Sequence, residues 1–105
     1  MKPQLDTIHH IAIQVSNISD SVNWYISRYQ CDVSYQDESW ALLQFENTTL
    51  ALVLPEQHPY HFAILTDNLA AYGSGTAHRD GTRSVYLRDI DNNQVEMLQL
   101  ADEES

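Results

Sequence analysis

Two stretches decide the fold: His10-Ile11-Ala12-Ile13-Gln14-Val15-Ser16-Asn17-Ile18 and His61-Phe62-Ala63-Ile64-Leu65-Thr66-Asp67-Asn68-Leu69. Each opens on a histidine, alternates through a strand-type run and closes on a helix-start signal. They stand about half the chain length apart. Such a repeat means two copies of one supersecondary unit, each burying its apolar face against the other. It also sets His10 and His61 at equivalent points of the two copies. Equivalent, inward-facing histidines can bring ligands from distant sequence together on one metal.

Working outward from the first stretch, residues 7–15 read as a strand with Ile11, Ile13 and Val15 on one face and His10, Ala12 and Gln14 on the other. Ser19 is the expected cap of a helix whose Val22, Tyr25, Ile26 and Tyr29 form an amphipathic stripe. Asp32–Gln36 is a short strand, and Trp40–Glu46 and Thr48–Leu54 are two strands around a turn at Asn47. The second unit is abbreviated. Asp67–Tyr72 starts like the first helix, but Gly73-Ser74-Gly75 stops it within one or two turns. Thr82–Asp89 and Gln94–Leu100 complete it as strands around the turn Ile90–Asn93. The chain therefore reads as α+β, two β-α-β-β-β modules with the second helix truncated. One domain covers 1–105, with module one at about 5–55 and module two at about 59–100.

Composition bounds the partners. The 105 residues, 43% of them apolar, suffice for one modest core. Fifteen carboxylates against five Lys and Arg give a net charge of -10, a surface that repels phosphate backbones, so no nucleic-acid partner is expected. No segment approaches the roughly 18 apolar residues of a membrane span, and no signal-peptide pattern follows Met1. The lone Cys31 forms no internal disulfide, which fits a reducing cytoplasm, and reads as a small half-buried residue after the helix. The tail 101–105 reads as a frayed, solvated end.

Strand parity then sorts the residues able to do chemistry. In both repeat strands the face away from the helix carries the leading histidine. In the last strand Glu96 sits between Val95 and Met97, an anomalous place for a carboxylate, whose burial alone costs several kcal/mol unless it is paired or metal-bound. Taken singly, a histidine in a strand or a glutamate near a chain end is ordinarily structural or solvent-facing. Taken together, on matching positions of a duplicated fold, His10, His61 and Glu96 suit one divalent metal with open positions for water or substrate. His9 has the opposite parity, His58 lies in the Pro55–Pro59 linker and His78 in the glycine-rich stretch; none of them joins the set.

The segments His9-His10-Ile11-Ala12-Ile13-Gln14-Val15, Ser21-Val22-Asn23-Trp24-Tyr25, His61-Phe62-Ala63-Ile64 and Ser84-Val85-Tyr86-Leu87-Arg88-Asp89-Ile90-Asp91-Asn92-Asn93-Gln94-Val95-Glu96-Met97 resemble, in that order, the vicinal oxygen chelate superfamily. This superfamily includes glyoxalase I, bleomycin-resistance proteins, fosfomycin-inactivating transferases and extradiol dioxygenases. The resemblance covers nearly the whole chain. It implies paired modules forming a half-open, cup-shaped mixed sheet with a divalent metal (Zn, Mn, Fe or Ni) at its base. His10, His61 and Glu96 match three family ligands. The fourth, a glutamate in glyoxalase I, falls on Ala51, which disfavours ordinary glyoxalase I chemistry. Ser84 and Tyr86 match substrate-contacting positions of the fosfomycin enzymes. By parity Trp40, Leu42 and Gln44 line the cup from the first module, and Tyr86 and Arg88 from the second.

The expected function is a metal-dependent lyase, transferase or dioxygenase-like enzyme acting on a small oxygen-bearing substrate. The alternative is a metal-free binding protein of the bleomycin-resistance type that sequesters a cationic aromatic compound, suited by the acidic balance and by Trp40 and Tyr86. A third possibility is a dimerising module with a vestigial site. The substrate-binding candidates are Trp40, Gln44, Ser84, Tyr86 and Arg88, with no catalytic residue assigned. The shortened second helix leaves apolar sheet surface uncovered, so a cytoplasmic homodimer is expected, in which modules could be exchanged between chains.

Overall fold

The structure is a computed structural model and describes residues 5–78 and 81–100; the tail read as frayed lies outside them. The fold is α+β, with one α-helix and a mixed eight-stranded sheet among the described residues. In chain order the elements are β1 (Ile8–Gln14), α1 (Ile18–Arg28), β2 (Asp32–Gln36), β3 (Trp40–Gln44), β4 (Thr49–Val53), β5 (His61–Leu65), a 3-10 turn (Leu69–Ala71), β6 (Thr76–Ala77), β7 (Arg83–Arg88) and β8 (Gln94–Gln99). Two compact units are distinguished. One is His10–His61; the other joins the residues up to His9 to those from Phe62 onward.

In the first unit the strand order is β2-β3-β4-β1, with β1 and β4 parallel and the other pairs antiparallel. A parallel β1–β4 pair requires a crossover, and α1 with β2 and β3 supplies it. The core cluster of Ile18, Val22, Ala41, Leu43 and Leu52 lies under α1, with Ile13, Val15 and Tyr25 packed against it. Leu43 and Leu52 are fully buried, each stabilising the fold by roughly 1.5–3 kcal/mol. Ala12, Ala51 and Val53 form a second cluster with Trp40 and Leu42. The two clusters carry opposite parities of β1, as alternation requires, so His10 shares its parity with Ala12 and not with the helix-facing Ile13 and Val15.

The helix cap lies two residues earlier than the sequence suggests. Asn17, not Ser19, is the cap: its backbone is extended and its Oδ1 accepts from the Asp20 amide at 2.8 Å, while Ser19 already lies inside the helix. Asp20 in the first turn and Arg28 in the last complement the helix dipole, and Arg28 stands 4.2 Å over the Trp24 ring. The apolar stripe is also shorter than expected. Ile18 and Val22 are buried, but Ile26 is exposed in the last turn, and Tyr29 is exposed because the helix ends at Arg28 and leaves it an extended cap residue.

In the second unit the order is β5-β8-β7-β6, the same arrangement as in the first unit, with β8, β7 and β6 antiparallel. One 3-10 turn at Leu69–Ala71 stands where the first unit has α1, and Leu69 is its buried anchor. At Gly75, with φ +79°, a Cβ would come within 2.7 Å of the Leu69 side chain, so the chain can turn back here only without one. The glycine-rich stretch then enters β6, a two-residue strand that its composition conceals.

Candidate metal centre

His61 opens β5 and is only 8% exposed. Its Nδ1 stands 2.8 Å from the Pro59 carbonyl oxygen. That oxygen can only accept, so Nδ1 carries a proton and donates to it. A backbone carbonyl holding the far nitrogen in this way is the usual support of a metal-binding histidine. The His10 ring lies edge-on to it, with centroids 5.7 Å apart.

Glu96 lies in β8 and is 4% exposed. It stands directly opposite Tyr86 in the β7–β8 register, and the Tyr86 hydroxyl donates to its carboxylate. Burial, followed by the charge and hydrogen bond of Glu96, holds the Tyr86 hydroxyl well above the usual phenol range, so it stays a neutral donor.

His10, His61 and Glu96 each offer one ligand atom, and the three atoms lie within 4.8 Å of one another. Donors 2.0–2.2 Å from one ion stand about 3.0–3.5 Å apart in tetrahedral or adjacent octahedral positions, so side-chain adjustments of about an ångström would bring these atoms onto one ion. Two neutral imidazoles and one carboxylate form a donor set suited to a divalent transition ion. The residues fit the group that the sequence resemblance implies.

No protein-family model and no curated protein matches the sequence. Solved structures do match. Methylmalonyl-CoA epimerase in complex with methylmalonyl-CoA and NH4+ superposes with a TM-score of 0.79 at 19% identity, covering 97% of this chain and 99% of that one. A variant of Streptomyces coelicolor methylmalonyl-CoA epimerase, in complex with 2-nitronate-propionyl-CoA, gives the same values. A hypothetical protein from Bacillus halodurans C-125 superposes with a TM-score of 0.75 at 14% identity, covering 97% and 99%. The chain has the vicinal oxygen chelate fold.

Ala51 is 3% exposed, pairs with Ala12 in the β1–β4 register and sits in the cluster with Val53, Trp40 and Leu42. The five substrate-binding candidates divide. Ser84 and Tyr86 share a face of β7, across from Leu98 and Glu96 respectively. Trp40 is half-buried at the start of β3, its ring 4.6 Å from that of Tyr35. Gln44 lies at the far end of β3, where Nε2 donates to the Phe45 carbonyl and Oε1 accepts from Thr49 Oγ1. Arg88 is exposed at the end of β7, its Nη1 donating to Asn92 Oδ1.

Sequence reasoning missed two groups. His78 stands with Nε2 2.6 Å from the hydroxyl of Ser84, which is 1% exposed. The alternation Thr76-Ala77-His78 was the available signal, hidden by the neighbouring glycines. Tyr35 and Asp37 flank Trp40. The Tyr35 hydroxyl, together with the Ser39 hydroxyl and the amides of Ser39 and Trp40, holds the Asp37 carboxyl well below the usual carboxylate range.

Proposed function

We propose that the chain is a metal-dependent enzyme of the vicinal oxygen chelate type, acting on a small oxygen-bearing substrate. The observation that carries this reading is the convergence of His10, His61 and Glu96 within 4.8 Å. His10 and His61 would contribute imidazole nitrogens, and Glu96 a carboxylate oxygen. A divalent ion held there supplies Lewis-acid stabilisation of charge developing on substrate oxygens. The Pro59 carbonyl accepts from His61 Nδ1, so Nε2 is the nitrogen that would bind the ion. Three protein donors leave coordination positions for substrate oxygens, consistent with alanine at position 51. Trp40 offers an aromatic face for a small molecule.

Metal content tests this reading. Protein purified without chelator is expected to carry close to one equivalent of a transition ion, and Glu96→Gln to lose most of it. Wild-type protein that neither retains nor takes up Zn, Mn, Fe or Ni would refute the reading.

A second reading has its own support. The stacked Tyr35 and Trp40 rings, beside a carboxylate at Asp37 that stays ionised, match a planar cation, as a binding protein of the bleomycin-resistance type would need. Binding of a cationic aromatic by metal-free protein, undiminished in Glu96→Gln, favours it over the enzyme.

A further inference from the structure

Glu96 is 4% exposed, and its opposite number in the β7–β8 register, Tyr86, donates its hydroxyl hydrogen to the carboxylate. A carboxylate can grip an ion with one oxygen or with both, and what surrounds it decides which. We propose that Tyr86 is the positioning residue of this centre: its hydroxyl engages one side of the Glu96 carboxylate and turns the other toward the ion. The assignment rests on the metal reading above. It gives Tyr86 a role through Glu96, distinct from direct substrate contact.

The geometry makes this specific to Tyr86. Directly opposite residues of an antiparallel pair have Cβ atoms about 4.5–5.5 Å apart, within easy reach of a phenol. The strand neighbour on the same face, Ser84, lies opposite Leu98 and has its hydroxyl on His78. Partners that orient a ligand from outside the coordination sphere typically contribute 10–100-fold in metal affinity.

The test titrates Co²⁺ into the metal-free full chain, reading affinity by competition with a chromophoric chelator and coordination by the ligand-field absorption. Wild type is expected to bind one Co²⁺ and Tyr86→Phe to bind it about 10–100-fold more weakly, with a shifted absorption spectrum. Tyr86→Gln keeps an N–H donor at the same strand position and is expected to recover part of the loss. If Tyr86→Phe fails to fold, the Gln variant against wild type carries the comparison, with intermediate affinity and a shifted spectrum expected. Wild-type affinity and spectrum in Tyr86→Phe, or in Tyr86→Gln where that alone folds, overturn the positioning role and leave the metal reading intact. Wild-type protein that fails to bind Co²⁺ overturns both.

Discussion

Ser84 shows what a single polar residue can hold in place. It is almost wholly buried, and its hydroxyl meets His78 Nε2 at 2.6 Å. Replacing Ser84 by alanine removes one partner and leaves a half-buried imidazole nitrogen unsatisfied, which costs about 1–2 kcal/mol. Chemical denaturation of Ser84→Ala is expected to show a loss of this size with an unchanged denaturant slope. A change near zero would mean that water replaces the serine. Legibility at this scale followed parity. His10, His61 and Glu96 could be read because alternate strand residues share a face. Gln44 and Arg88 had parity too, but they lie at strand ends where Thr49 and Asn92 take their side chains, and parity does not foresee such local hydrogen bonds. His78 stayed hidden because it lies just past β6, a strand of two residues.

At the scale of elements, the β2–β3 connection is held by one carboxylate. Asp37 accepts from the Ser39 and Trp40 amides and from the Ser39 and Tyr35 hydroxyls, and these bonds depress its pKa from 3.8. A group whose folded pKa is depressed stabilises the fold above its unfolded pKa, and that stability is lost as pH falls through the folded value. Asp89, which caps the β7–β8 turn through Asn93, is depressed in the same direction. Thermal stability is therefore expected to fall progressively below about pH 4. In Asp37→Asn this acid limb is flatter, while the variant is already less stable at neutral pH. An acid limb as steep in Asp37→Asn as in wild type would assign it to other groups. The elements themselves were legible where period and caps agreed, as in β1, β3, β4, β7 and β8. The start of α1 was displaced because two cap formers, Asn17 and Ser19, compete in sequence two residues apart, and only backbone conformation selects Asn17. The second helix shrank to a single 3-10 turn because Gly73 and Gly75 both take positive φ directly after it.

For the whole molecule, the duplication is the organising fact. Each copy places its strands in the same lateral order, and the chain superposes on solved vicinal oxygen chelate structures at 19% identity or less. Among the described residues no helix is long and apolar enough to cross a membrane. The central claim, that His10, His61 and Glu96 hold one divalent ion, is tested most directly by anomalous diffraction from crystals grown with zinc. The account predicts one strong peak about 2.0–2.3 Å from an imidazole nitrogen of His10, from Nε2 of His61 and from a carboxylate oxygen of Glu96. Saturating zinc with no peak among these three side chains would contradict it.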